Sequence, residues 1–250
     1  MVAKYRQIAD IYRGQIEAGE LRPGQQLPTE AELSRVHSAA IGTIRSALQV
    51  LQGEGLIYPD SPRGWFVSKR EHMIYRPQSD GRTLESLKHP EPWVQQILAE
   101  GREPTQSIDV AIVVPPPAVA ERLNLKEDES AVLRARVRSI NGAPVNIADS
   151  YYPKKMVDGS AVESPKDIPE GVSRVLVGLG YVQTKAVDEI EVRMPTPDEQ
   201  RRLQLGIGVP VAVHRVTTFT ADGTPVRCSI NVLPGDRHVI IYEREWDVKA

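Results

Sequence analysis

The stretch AVLRARVRSI sets Arg134, Arg136 and Arg138 at every second position. Period two puts them on one face of a strand, with Leu133, Ala135 and Val137 on the other. Such a row of guanidinium groups is either solvent-exposed decoration or the lining of a site for an anion. A second set of outward side chains lies in IGTIRSALQVLQG. There Ile44, Ala47, Leu48 and Leu51 mark the buried stripe of a helix, and Ile41, Thr43, Arg45, Ser46 and Gln49 fall on its exposed face. The sequence contains no Gly-x-Ser-x-Gly, no phosphate-cradling glycine loop and no His-Glu-x-x-His, and its five histidines show no metal spacing. Cys228 is the single cysteine, so it makes no internal disulfide; it reads as a buried or tolerated thiol. Neither a metal nor a cofactor is expected, and no catalytic set stands out.

The surrounding pattern shows which elements hold these side chains. At 250 residues the chain exceeds one comfortable core and suggests two domains. Its opening, MVAKYRQIADIYRG, carries charge every few positions and lacks a signal-peptide core. No stretch reaches the ~20 apolar residues that span a bilayer. A cytoplasmic protein with no membrane partner is expected. The net charge is −2, yet residues 1–70 carry nine Lys/Arg against seven Asp/Glu, which points to an anionic partner at that end.

Tyr5, Ile8, Ala9, Tyr12 and Ile16 recur at helical spacing. AGELRPGQQ then breaks the helix, with Gly19 and Gly24 free to take left-handed conformations. Thr29 with Glu32 three residues on forms a capping box that opens a second helix. After the break at VHSA comes the third helix, stopped by Gly53 or Gly55. Leu56-Ile57-Tyr58, the turn PDSPRG and Trp65-Phe66-Val67 make a hairpin. Three helices and a hairpin are the order of a winged helix-turn-helix, whose third helix enters the DNA major groove. The alternative is a three-helix subdomain whose polar face is only solvated.

The ordered set GELRPGQQLPTEAEL, TIRSAL, EGLI and RGWFV, over about residues 4–68, resembles the N-terminal module of the GntR-family transcription regulators. The resemblance implies DNA contacts from Thr29, Ile41, Thr43, Arg45, Ser46, Arg63 and Gly64; Lys69, just beyond it, extends the phosphate contact or belongs to a solvated charge cluster. This chain departs from the family at Ala31, where arginine is usual, and at Ala40-Ile41, where Ser-Arg is usual. Ile41 is therefore a specificity position that can pack on a thymine methyl, and Ala40 lacks a capping hydroxyl. For Arg45 the competing reading is a surface salt bridge with a nearby carboxylate; for Arg63 it is plain solvation.

Residues 69–83 read as a polar linker between a domain at 1–68 and a second at 84–247. In the second, SIDVAIVVPP reads as a strand, PAVAERLNL as a short helix, and AVLRARVRSI with VNIADSYYP as a hairpin turning at NGAP. GVSRVLVGLGY reads as a helix, KAVDEIEVRMP as a strand, and TPDEQRRLQL as a helix capped by Thr196 with Glu199. A second hairpin turns at Asp222-Gly223. The fold class is α+β in two domains.

The motifs GREP, RVRSINGAP, DSYYP, TPDEQRRL, DGTPV and GDRH resemble the UTRA effector-binding domain of the HutC subfamily, an antiparallel-sheet domain of chorismate-lyase-like fold. The resemblance implies an effector site faced by Arg136 and Arg138, and Asp149, Tyr151, Arg227 and Asp236 in the matching motifs are the further candidates for it. Two family glutamates are replaced, by Ala148 and Arg227, so the pocket is expected to be more cationic and to take a small anionic metabolite or none. Asp149 is one residue out of register, which turns it to the opposite face unless a bulge intervenes. Arg227 has a competing reading as the partner of Asp149, Glu189 or Asp236. The expected protein is not an enzyme. It is a sequence-specific regulator of transcription, a homodimeric repressor on inverted-repeat double-stranded DNA, released by a small-molecule effector. The alternatives are a DNA-binding protein whose second domain only dimerises or binds a partner, and, remotely, a lyase-like enzyme.

Overall fold

The computed structural model describes residues 3–68, 73–77, 92–206 and 208–244. The chain forms two compact units, one of Met1–Met73 with Leu205–Pro210 and Gly235–His238, the other of Ile74–Gln204, Val211–Pro234 and Val239–Ala250.

The first unit contains helices α1 (Lys4–Glu17), α2 (Glu30–His37) and α3 (Ile41–Gly53), then strands β1 (Ile57–Asp60) and β2 (Gly64–Val67). One core gathers Ile8, Ala9 and Tyr12 of α1, Leu33 of α2, the stripe Ile44, Ala47, Leu48 and Leu51 of α3, and Leu27, Leu56, Ile57 and Val67. The Thr29–Glu32 capping box is present at α2. Ser38 ends that helix at φ 46, a left-handed residue that turns the chain into α3. The hairpin turn is tighter than PDSPRG suggests, because Pro59 and Asp60 pair with Trp65 and Gly64. A third segment runs beside it: Leu27 donates to Trp65 O at 2.8 Å and Val67 to Gln25 O at 2.8 Å. The loop after α1 thus satisfies the outer edge of β2.

Part of the segment read as a linker is a strand, β3 (Met73–Tyr75), which pairs with β10 (His238–Ile240). Short local patterning hides such a strand, since its partner lies far along the sequence.

The second unit is built on a six-stranded antiparallel sheet of order β4-β5-β6-β9-β8-β7. The strands are β4 (Pro104–Val113), β5 (Ala131–Ile140), β6 (Ala143–Pro153), β7 (Lys185–Arg193), β8 (Val211–Phe219) and β9 (Pro225–Pro234). Hairpins β5–β6 and β8–β9 meet through β6 and β9, with Ile147 opposite Val232 and Tyr151 opposite Cys228. Helices α4 (Pro92–Ala99), α5 (Pro117–Arg122), α6 (Lys154–Val157), α7 (Val172–Gly178) and α8 (Pro197–Leu203), with a 3-10 turn at Ala161–Glu163, flank the sheet. One sheet face buries Val132 and Tyr152 against Val157, Val162, Ile168, Val172 and Leu176. On the other, Tyr151 and Cys228 pack on Val119 and Leu123.

Thr196 and Glu199 form the expected capping box on α8. Burial alone would raise the Glu199 carboxyl, but two donors from Arg193, each at 2.7 Å, and the Thr196 amide at 2.8 Å hold it below its ordinary value. A carboxyl depressed by folding stabilises fully above its unfolded value, and the contribution is lost as pH falls through the folded one. Glu199→Gln is therefore expected to lower the urea midpoint at neutral pH, with the gap from wild type closing below the ordinary value of 4.5. A gap that stays constant with pH would contradict this assignment.

Candidate nucleic-acid interface and effector face

Helix α3 presents Ile41, Thr43, Arg45 and Ser46 away from its buried stripe. Ile41 is 45% exposed at the first helical position, and Ala40 provides no side-chain cap. Arg45 donates through Nε to Glu30 Oε2 at 2.8 Å, and Ser46 Oγ donates to Gly42 O at 3.0 Å. The salt-bridge reading of Arg45 is the one the structure shows. With the Arg45 side chain 64% exposed, the pair is worth at most about 1 kcal/mol. On the wing, Arg63 pairs with Asp60, and its guanidinium lies 5.5 Å from the centre of the Phe66 ring. Gly64 has φ 113, a conformation that suits glycine, and an added Cβ there would meet Gln26 Nε2 at 3.3 Å. The Thr29 hydroxyl is engaged with Glu32 as the α2 cap. Lys69 lies outside the described residues.

On the sheet, Arg134 is opposite Ser150 and Arg138 opposite Asn146. Cross-strand partners share a face, so the three arginines stand on the same side as Asn146, Ala148, Ser150, Ser229, Asn231 and His214. They do three different things. Arg134 is 2% exposed and donates to the carbonyls of Val162, Ser164 and Lys166 at 3.0, 2.5 and 3.0 Å. Arg136 donates through Nε to Ala148 O at 3.1 Å and through Nη2 to Ser150 Oγ at 3.1 Å. Arg138 stacks 4.7 Å from the centre of the Trp93 ring. Ser150 and Ser229 share a hydrogen bond of 2.9 Å. Buried His214 bridges Tyr75 Oη at 2.9 Å and Asp188 Oδ1 at 2.7 Å. Burial pushes the Cys228 thiol up, which suits an inert packing role.

Three residues expected at this site are placed elsewhere. The shift in the β5–β6 pairing lies between Arg138 and Ser139, leaving Arg134 and Arg138 in one register. Asp149 and Tyr151 therefore face the other side of the sheet from the arginines. There Asp149 accepts from Arg202 at 3.2 and 3.3 Å, and Tyr151 packs in the apolar cluster with Val119 and Leu123. Asp236 belongs to the first unit, near Arg237, with its Cβ 2.8 Å from where a side chain on Gly55 would begin. Arg227 does share the arginine face, opposite Thr218. Sequence reading did not single out Ser150, Ser229, Asn231 and His214. A usable signal was there, since Arg227, Ser229 and Asn231 keep a polar period of two inside the apolar strand PVRCSINVLP.

A winged helix-turn-helix with an outward arginine, joined in one chain to a separate antiparallel-sheet unit, is the architecture of a DNA-binding regulator. Residues 4–67 match the family described as bacterial regulatory proteins, gntR family, and residues 99–239 match the UTRA domain. The chain belongs to the GntR family of transcription regulators, in its UTRA-bearing form. It is 31% identical to the uncharacterized HTH-type transcriptional regulator SCO4628 of Streptomyces coelicolor, over 96% of this chain and 92% of that one. It is 28% identical to the HTH-type transcriptional repressor NagR of Bacillus subtilis, over 95% and 93%. The fold is shared with PhnF from Mycobacterium smegmatis, with TM-score 0.59, 17% identity, and coverage of 95% and 99%. It is also shared with the C-terminal domain of a histidine utilization repressor from Pseudomonas syringae, with TM-score 0.51, 20% identity, and coverage of 58% and 100%. Among the described residues no helix is long and apolar enough to cross a membrane.

Proposed function

We propose that the protein is a homodimeric repressor, acting in the cytoplasm, whose two winged helices occupy an inverted-repeat operator until a small anionic metabolite releases them. The observation that carries this is α3 itself: four buried apolar residues seat it, and Thr43, Arg45 and Ser46 remain outward beside a wing bearing Arg63. Phosphate contacts supply most of the affinity, and α3 with the wing supplies register and sequence. Exposed apolar side chains on β7, with Val192 71% and Ile190 43% exposed, support pairing of subunits through the second unit. The metabolite acts through its differing affinity for dimer geometries that do and do not match the half-sites.

The repressor relative NagR supports the sense of regulation, and the cationic sheet face supports an anionic effector. A second reading, a pairing platform without effector, is favoured by Arg134 and Arg136 having protein partners. It expects no metabolite to release the operator.

Binding to the DNA upstream of the protein's own gene tests the proposal. Arg45→Ala is expected to lose about 1–3 kcal/mol, roughly 5- to 150-fold in Kd, with a shallower salt dependence. Equal binding of wild type and variant across operator and unrelated DNA would remove α3 as the reading element.

A further inference from the structure

We infer that the cross-strand pair Thr218 and Arg227 forms an anion-holding subsite on the polar sheet face, taking a phosphate or carboxylate group of the effector. The inference rests on the reading of that face as an effector site.

Thr218 and Arg227 are direct partners across β8 and β9. They stand on the same face as the Ser150–Ser229 hydrogen bond, with Arg227 one same-face position beyond Ser229, about 7 Å along the strand. Thr218 is 5% exposed, and its buried Oγ1 has no hydrogen-bond partner among the described residues. The Arg227 Nε is likewise buried and without a hydrogen-bond partner among them. The three acids that the sequence offered as partners of Arg227 are paired with other residues: Asp149 with Arg202, Glu189 with Arg122, and Asp236 with Arg237. The other arginines of the face are committed, Arg134 and Arg136 to carbonyl and hydroxyl oxygens and Arg138 to Trp93.

A buried hydroxyl and a buried guanidinium nitrogen that both lack acceptors are unfavourable unless an acceptor arrives. Two such donors side by side call for a group offering several oxygens and negative charge. The planar guanidinium fork matches a carboxylate edge or two phosphate oxygens, and the threonine hydroxyl donates to a further one. Polar atoms of the ligand's neutral body would then lie over Ser150 and Ser229.

The test is saturable binding of inorganic phosphate and of acetate to the full-length protein at constant ionic strength, read by thermal shift and calorimetry, with glycerol as neutral control. Arg227→Gln is expected to weaken the preferred anion at least tenfold and Thr218→Val by a smaller factor, while Arg227→Lys retains part of the affinity and Arg201→Gln is unchanged. Preference for phosphate over acetate assigns a phosphorylated effector, and the reverse a carboxylate. Should Arg227→Gln fail to fold, Thr218→Val and Arg227→Lys read the same subsite.

Anion binding that both Arg227→Gln and Thr218→Val leave intact, or no saturable anion binding by wild type, overturns the inference. Release of the operator by a small-molecule cell extract separates this from the broader reading. If the extract releases wild type and Arg227→Gln alike, the effector site stands without the subsite; if it releases neither, the effector reading itself falls.

Discussion

Arg134→Met is expected to destabilise the second unit by about 3–5 kcal/mol. The guanidinium is a buried positive charge whose donors reach three backbone carbonyls, those of Val162, Ser164 and Lys166. These carbonyls belong to the chain around the 3-10 turn, which also delivers Val162 to the apolar cluster over Val132 and Tyr152. Methionine fills similar volume but offers no donor, so it leaves oxygens buried without partners. Hydrogen bonds to a charged group contribute about 1.5–3 kcal/mol each, and partial relaxation of the loop keeps the total below their sum. Urea unfolding of Arg134→Met beside Arg201→Ala, a change at an exposed position, measures this. A loss under about 1 kcal/mol for Arg134→Met would show that the loop re-satisfies itself and that Arg134 is not its anchor.

Leu48→Ala is expected to cost the winged helix about 2–5 kcal/mol and with it specific DNA binding. Leu48 is 1% exposed on the inward side of α3 and packs in the single core that joins all three helices to the hairpin. A unit of that size has little stability in reserve, since small domains bury a smaller fraction of their surface. The sheet unit has separate cores, so far-ultraviolet dichroism is expected to keep its strand signal while the helical signal falls. Gln49→Ala, next along α3 but outward, is expected to stay within about 0.5 kcal/mol of wild type. Full operator affinity retained by Leu48→Ala would mean that the core does not depend on this side chain.

Much of the first unit could be read from residue order. Helical spacing of apolar residues, Gly19 and Gly24 at φ 76 and 77, and the Thr29–Glu32 box are all local features, decided within a few residues of chain. The same holds for the β5–β6 turn at Asn141-Gly142, the β8–β9 turn at Gly223, and the Thr196–Glu199 cap. Local patterning also put Arg134, Arg136 and Arg138 on one face, because alternation is a property of any strand.

The roles of those arginines were decided only by tertiary structure. Whether a guanidinium anchors a loop, braces a neighbouring strand or stacks on an aromatic ring depends on what chain segment the fold lays over it, here residues 162–166 for Arg134 and Trp93 for Arg138. The partner of Asp149 was hidden for the same reason, as were the pairing of β6 with β9 and the strand at Met73–Tyr75. Local spacing sets which face a side chain takes, since that follows from backbone period alone. What it meets there is set by contacts between distant segments, whose register no local pattern carries.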